Sequence, residues 1–292
     1  QNALPLVLED EIIYKNYLGV ANVYDREVVP ERYYSANGFY VHNSSEEAFL
    51  SSGDRFFDPT TVQNLRIEPP KESIGNWLYY GDYQEGHRFA TGVDVSEGVG
   101  RHNSAIQVID FDYKVVVDGR LYTRPRLVAS YVNNRIAPDL LASEIRNGAV
   151  KYGNCIACIE RNNHGWATLA TIKSIYFNLY REAQDRLGWQ TNVASKPKML
   201  NDLRTAVHEG LLDIPDEATK LEILHYPSGD LNEITVDEED ETRGHYDRVI
   251  ALALAWQMAM WAVPAMGHSL KDDDTKTKTD FDRFAQFNEI EQ

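Results

Sequence analysis

The stretch Phe89-Ala-Thr-Gly-Val-Asp-Val-Ser-Glu-Gly98 places one acid, Asp94, at the end of a short apolar run and just before a polar turn. A second apolar run, Ser104–Asp112 (SAIQVIDFD), follows a connection rich in glycine and asparagine. This pattern predicts two strands joined by a turn. A carboxylate in a buried strand is costly unless it is paired or holds a cation. Asp94 therefore either caps the turn that follows it or belongs to a charged site.

Strands and helices are predicted to alternate after this pair. Arg126–Asn133 is predicted as a third strand, Pro138–Tyr152 as a helix, Cys155–Glu160 as a buried strand and Trp166–Tyr176 as a second helix. Such alternation is typical of an α/β domain with a partly parallel sheet. Glu160 then lies at the carboxyl end of a strand, where α/β sheets place their chemistry, or is simply an exposed acid at a strand end.

A third acid, Asp247, opens the segment His245-Tyr-Asp-Arg-Val-Ile-Ala-Leu-Ala-Leu-Ala255. The run from Val249 is apolar almost all round, which predicts a buried helix that Pro264 ends. An acid in a first turn also stabilises the helix dipole, so Asp247 alone has an ordinary explanation. Three carboxylates without a nearby His/Cys set suit Mg²⁺ or Mn²⁺. Two such ions about 4 Å apart cleave phosphodiesters by activating water and stabilising the leaving oxygen.

The formal net charge of −16 argues against a general polyanion binder. Seven acids against one arginine lie between residues 230 and 243, in a predicted loop that either limits DNA access by repulsion or is simply solvated. No apolar run of about 18 residues occurs, so no membrane span is expected. The N-terminus has no basic and apolar signal pattern, so no secretory signal is expected. Cys155 and Cys158 point to opposite faces of a strand and are interpreted as packing residues in a reducing cytosol.

The motifs GVDVSEG (92–98), IERNNHG (159–165) and HYDRVIALALA (245–255) together resemble the nuclease domain of phage terminase large subunits, over about residues 44–265. This resemblance implies a ribonuclease H-like fold, a mixed sheet flanked by helices. It also implies that Asp94, Glu160 and Asp247 are the catalytic acids and metal ligands, with Asp94 bridging both ions. The family often has a second acid before the last one, where this chain has Tyr246.

The same resemblance implies a set of partners. They are double-stranded viral DNA, the small terminase subunit, the portal and the protein's own ATPase domain. It places the protein in the cytoplasm of an infected bacterium and transiently at the procapsid portal. The segment Glu46–Gly53 followed by Phe56-Phe57-Asp58 resembles the join after the ATPase domain, whereas no ATP-binding G-x-x-x-x-G-K-[ST] loop occurs in the sequence. Trp77–Tyr80 is predicted to be an extended linker.

Several polar residues are candidates for contact with the DNA backbone. Asn162 either forms a turn with its neighbours Asn163 and His164, reaches a phosphate or positions Glu160. Lys196-Pro-Lys198 precedes a predicted helix, Met199–Glu209, and Leu221–His225 is predicted as a strand. The basic candidates, each of which is otherwise a solvated charge, are Arg161, Lys196 and Lys198, with Arg101, Arg124, Arg126, Arg135 and Arg248 as weaker ones.

The first 43 residues carry a different chemistry. An Asn-Gly turn at 37–38 predicts a strand pair that ends in His42-Asn43 before Ser44. An Asn side chain attacks its own carbonyl to form a succinimide, a preceding His protonates the leaving group and a following Ser accepts the acyl group. With Val23-Tyr24-Asp25, this segment resembles the C-terminal part of an intein, although Arg32 replaces the usual histidine. An N-terminal intein half is then a further partner, and an accidental hairpin is the alternative.

Four segments are therefore predicted. They are an intein fragment at 1–43, a connector at 44–86, a ribonuclease H-like nuclease domain at 87–267 and a charged, disordered tail at 268–292. The predicted function is a metal-dependent DNA endonuclease that cuts concatemeric viral DNA during packaging. The alternatives are protein splicing at Asn43–Ser44 and a non-cutting DNA-binding or docking module of the same fold.

Overall fold

The computed structural model describes strands at residues 33–36 and 39–42 and then residues 55–100, 102–162, 164–229 and 246–265. The chain divides into two units, residues 1–53 and 54–292. Within the first unit, β1 (Tyr33–Ala36) and β2 (Phe39–His42) pair antiparallel around residues 37–38, as the Asn-Gly signal predicts. The predicted charged tail from residue 268 and the segment Glu46–Gly53 lie outside the described residues.

The second unit contains a six-stranded sheet within the described residues. Its strands are β3 (Glu72–Ile74), β4 (Trp77–Tyr79), β5 (Phe89–Asp94), β6 (Ser104–Asp110), β9 (Arg126–Asn133) and β10 (Ile156–Ile159). They lie in the order β10-β5-β6-β9-β4-β3, and only the β10–β5 pair in this order is parallel. Two small hairpins complete the described strands, β7 (Lys114–Val117) with β8 (Arg120–Thr123) and β11 (Arg181–Ala183) with β12 (Arg186–Leu187). The predicted α/β class with a mixed sheet is confirmed.

Helices cover both faces of this sheet. They are α1 (Pro59–Gln63), α2 (Pro138–Lys151), α3 (Gly165–Ile172), α4 (Ser195–His208), α5 (Glu217–His225) and α6 (Asp247–Gln257), followed by a 3-10 turn (Met258–Met260). One face packs on α2 and α3 through a core of large buried side chains, and the other packs on α6. None of the helices in the described ranges is long and apolar enough to span a membrane.

Gly92 allows α6 to lie directly on the centre of the sheet. A Cβ atom at this position would stand 2.0 Å from the carbonyl oxygen of Ala251 and 2.3 Å from the amide nitrogen of Ala255. The face of α6 is correspondingly small and apolar, with Ala251, Leu252 and Ala255 all fully buried. The buried helix predicted from the all-apolar run is confirmed, although it ends at Gln257 and not at Pro264. Its close packing on the sheet brings Asp247 towards β5.

The predicted linker at Trp77–Tyr80 is part of the sheet instead. Residues Trp77–Tyr79 form β4 and pair antiparallel with β9. The Trp77 ring stacks on Tyr79 with centroids 5.6 Å apart, and its indole nitrogen donates to Glu144 on α2 at 2.8 Å. Aromatic residues are good strand formers, and β4 lies between β9 and β3, where both rings are buried.

The predicted strand at Leu221–His225 is wrong, because this segment is the second half of α5. Asp216 caps the helix by accepting hydrogen bonds from the Thr219 amide and hydroxyl. The short apolar run at 221–224 has a strand-like composition, but the cap and the acidic first turn begin a helix before it. Similarly, α4 begins at Ser195, so Lys196 and Lys198 lie in its first turn.

We expect Gly92→Ala to lower the free energy of unfolding by about 1–3 kcal/mol, since the added methyl group has to push α6 away from β5. Urea denaturation followed by circular dichroism measures this change. Gly229→Ala is the matched control, because a methyl group there meets open space and is expected to change stability by less than about 0.5 kcal/mol. Equal effects of the two substitutions would contradict the close packing at Gly92.

Candidate metal centre

The parallel pairing of β5 and β10 places two acids side by side. Val93 is in register with Ile159, and the amide of Glu160 donates to the carbonyl of Val93 at 2.9 Å. Asp94 and Glu160, the next residues, therefore leave the sheet at its carboxyl end as neighbours. Each carboxyl group is partly exposed. The structure thus brings two of the predicted site residues together.

Asp247 reaches the same region from α6. It is the first residue of that helix, and its Oδ2 accepts hydrogen bonds from the backbone amide and the side-chain amide of Asn103, both at 3.2 Å. Asn103 closes the connection between β5 and β6, so the loop after Asp94 holds the third acid. No sequence pattern indicates a role for Asn103, because its partner lies 144 residues away in the chain.

The neighbouring acids act on the pKa of Asp94. The pKa of Asp94 is raised well above its ordinary value, first by desolvation and then by the charges of Glu160 and Asp247. A hydrogen bond to Glu160 and the charge of Glu222 act in the same direction. A cation beside these carboxylates would offset their repulsion, and an all-oxygen donor set is one that Mg²⁺ or Mn²⁺ prefers. The chemistry of the donors therefore fits a hard divalent ion.

The carboxylates are nevertheless not arranged as a closed ligand set. Across the ranges that the structure describes, no group of three His, Cys, Asp or Glu side chains is close enough together to hold a metal ion. Asn103 holds Asp247 through one of its carboxylate oxygens, which accepts both hydrogen bonds.

Glu222 is a fourth acid near the site that the sequence did not indicate. It accepts hydrogen bonds from the backbone amide of Arg248 at 2.8 Å and from its guanidinium at 2.6 Å. Desolvation raises the pKa of Glu222 to about 7, with the charge of Asp247 adding to the rise and Arg248 opposing it. These contacts fix the first turn of α6, which carries Asp247. Glu222 was missed because its segment was predicted as a strand and its partner is remote in sequence.

The structure does not present all the predicted DNA-binding residues at the surface. Arg161 is only 4% exposed and pairs with Glu182, while Asn162 donates to Glu160. Lys196 is buried in the first turn of α4, whereas the Lys198 side chain is 66% exposed and pairs with Asp202.

The weaker candidates divide in the same way. Arg126 is buried between Glu68 and Asp213, and Arg248 is held by Glu222, so their guanidinium groups serve internal ion pairs. Arg124 and Arg135 are exposed. These ion pairs give Arg126 and Arg248 a role inside the protein that does not involve DNA.

Other predicted residues lie where the structure gives no description of them. Of the proposed splice junction, His42 ends β2, whereas Asn43 and Ser44 are outside the described residues. The same holds for Arg101, Asn163, His245 and the acidic segment 230–243. Their predicted roles stay predictions.

No protein-family model matches the sequence, and no curated protein is similar to it. Solved structures are similar, among them the large terminase nuclease from the thermophilic phage G20c. Its alignment covers 68% of this chain and 96% of that nuclease, with a TM-score of 0.50 and 18% identity. The same nuclease with bound magnesium aligns over 70% and 98%, with a TM-score of 0.51 and 18% identity, and with bound cobalt over 70% and 98%, with 0.51 and 17%.

The chain has the ribonuclease H-like fold of that nuclease. At this level of identity the likeness establishes the fold, and the chemistry has to be argued from the side chains. The predicted fold class is confirmed.

We expect Asp94→Asn to raise stability at neutral pH in the absence of divalent cations. A raised pKa means that folding disfavours the charged carboxylate, so the wild type loses stability as the pH rises from the ordinary aspartate pKa towards the folded-state value. The neutral amide has no such cost and still donates to Glu160. The stability difference is therefore largest at pH 7 and shrinks towards pH 4.

Urea midpoints at the two pH values measure this difference, with the exposed Asp185→Asn as a control that is expected to change little. Adding Mn²⁺ should stabilise the wild type more than Asp94→Asn. A variant that is less stable than the wild type at both pH values would show that folding does not disfavour the charged carboxylate of Asp94.

Proposed function

We propose that this chain is the metal-dependent endonuclease part of a phage DNA-packaging terminase large subunit. The observation that carries the proposal is the convergence of Asp94 and Glu160, with Asp247 close by, at the carboxyl end of two parallel strands. Such a cluster of partly buried carboxylates is costly for folding and useful for binding cations. The fold shared with a terminase nuclease that has been crystallised with magnesium supports the same function.

In this proposal, Asp94, Glu160 and Asp247 hold two Mg²⁺ or Mn²⁺ ions. Bound ions of this kind activate water and stabilise the leaving oxygen of a phosphodiester. The protein's own contribution is to supply oxygen donors from three separate elements and to fix each of them. Asn103 orients Asp247, and the pairing of Glu222 with Arg248 holds the start of the helix that carries it.

The wider context belongs to the proposal as well. Double-stranded viral DNA is the substrate, and the ATPase domain, the small terminase subunit and the portal are the partners of the packaging complex. The protein then acts in the cytoplasm of the infected bacterium and at the procapsid portal. Among the basic candidates, the exposed Lys198, Arg124 and Arg135 are better placed for DNA phosphates than the buried Arg161 and Lys196.

We expect the purified chain to nick supercoiled plasmid with Mn²⁺ or Mg²⁺ and to be inactive with chelator. Asp94→Asn should lower the rate by more than about 100-fold. Removing a residue that only orients a metal ligand already lowers metal affinity or activity by about 10–100-fold. Agarose gels over a time course measure the rate, and Asp185→Asn serves as the exposed control. Nicking that persists in Asp94→Asn or with chelator would refute the assigned site. DNA binding in a gel shift without any cleavage would favour the docking module.

Protein splicing at Asn43–Ser44 stays a second proposal for residues 1–43, and the antiparallel pairing of β1 with β2 is consistent with it. We expect that mixing the chain with an N-terminal intein half yields a fragment that begins at Ser44, detected by mass spectrometry. Asn43→Ala should abolish this release, because the side-chain amide is the attacking group. A mixture that stays unchanged under reducing and non-reducing conditions counts against splicing.

A further inference from the structure

A chain of side-chain hydrogen bonds leads from the surface to Glu160. Glu182 accepts from Nη2 of Arg161 at 2.9 Å. Nε and Nη2 of Arg161 donate to Oε1 of Gln190 at 3.2 and 2.9 Å. Nε2 of Gln190 donates to Oδ1 of Asn162 at 2.9 Å, and Nδ2 of Asn162 donates to Oε1 of Glu160 at 3.3 Å. Arg161 donates at both ends, to Glu182 and to Gln190, and from Arg161 onward each residue donates to the next until the chain ends on Glu160.

The buried Arg161 sets the orientation of the Gln190 and Asn162 amides. Arg161 is 4% exposed, lies 5.7 Å from the Trp166 ring centroid and carries only donors. It therefore requires the carbonyl oxygen of Gln190, which turns the Gln190 NH₂ group towards Asn162. The oxygen of Asn162 is then occupied, so its NH₂ group faces Glu160 and the Thr191 carbonyl, which it reaches at 2.8 Å.

The local fold does not depend on these side-chain bonds. The backbone of this segment is already paired, because the Arg161 amide donates to the Trp189 carbonyl at 2.7 Å and the Trp189 amide donates to the Ile159 carbonyl at 2.9 Å. Gln190 and Asn162 are both only partly buried. Backbone pairing therefore does not explain why the side-chain amides of Asn162 and Gln190 are both oriented beside Glu160.

We propose that Asn162 and Gln190 are positioning residues for Glu160, oriented by the buried Arg161. The inference rests on the proposed function and deepens it. The Asn162 amide donates to one oxygen of the Glu160 carboxylate and so fixes its rotation beside Asp94, leaving the other oxygen for a cation. Partners of this kind orient the ligands of many metal sites. Arg161 then serves the site from inside the protein, in place of the predicted contact with DNA.

Two substitutions of Gln190 distinguish an effect on the orientation of Glu160 from an effect of added charge and from an effect on folding. Gln190→Glu keeps the acceptor for Arg161 but has no N–H for Asn162, which frees Asn162 to flip its oxygen towards Glu160. Gln190→Met is neutral, of similar length, and breaks both links. We expect both variants to bind Mn²⁺ about tenfold more weakly in calorimetry and to cleave DNA about tenfold more slowly. The metal-free Tm of Gln190→Glu, which keeps the acceptor for Arg161, should stay within about 3 °C of the wild type, whereas Gln190→Met removes that acceptor and should lower the Tm by no more than about 8 °C.

The matched controls are Gln184→Met and Gln184→Glu, at an exposed glutamine in the turn between β11 and β12. Both should leave the Mn²⁺ affinity and the cleavage rate unchanged. If the Gln190 variants also bind Mn²⁺ and cut like the wild type, while Asp94→Asn does neither, the positioning role is wrong and the proposed function stands. A loss in Gln190→Glu alone would assign the effect to charge and overturn the role of orientation.

Two other results would also overturn the proposal. A loss of affinity that appears only with a fall in metal-free Tm of more than about 10 °C would assign the network to folding. A wild-type chain that neither binds Mn²⁺ nor cuts DNA would remove the proposed function, and the positioning role would fall with it.

Discussion

The parallel hydrogen bonds between β5 and β10 hold the carboxylates of Asp94 and Glu160 side by side. Several neighbouring polar groups are arranged around this pair. The backbone leaves Asp94 and Glu160 little freedom to separate, because the Glu160 amide is bonded to the strand that ends in Asp94. Their mutual repulsion is met by polar donors. Asn162 donates to one carboxylate and Asn103 to the nearby Asp247. The fold thus tolerates a concentration of negative charge that a cation would relieve.

The two faces of the sheet divide the work of folding and chemistry. The face towards α2 carries the large core side chains, including Phe89, Ile106 and Val108, which supply burial. The face towards α6 carries small residues, and Gly92 lets the helix backbone approach closely enough to bring its first residue to the acids. Close approach of this helix is useful to the site, and it explains why a glycine stands in the middle of a central strand.

The parts of the structure that escaped prediction share one cause, which is that their partners are distant in sequence. Glu222 acts on the start of α6 through Arg248, 26 residues away, and its own segment has the composition of a strand. Arg161 has the charge of a DNA contact but meets Glu182 in the interior. Trp77 is strand-forming yet follows two prolines, so its place in the sheet depends on β9. A charge or an aromatic ring in the sequence does not say whether solvent or protein will surround it.

The sequence by itself determined four of the six strands of the sheet, the buried helix at the end of the described chain and the identity of the acids. These features follow from local rules, since side-chain periodicity, caps and turn residues act over a few neighbours. Only the tertiary structure decided which acids meet, because Asp94 and Glu160 become neighbours through strand register. It also decided which arginines are buried and in which direction the amides beside Glu160 point. Those outcomes depend on desolvation and on hydrogen-bond partners from remote segments, which no short window of sequence contains.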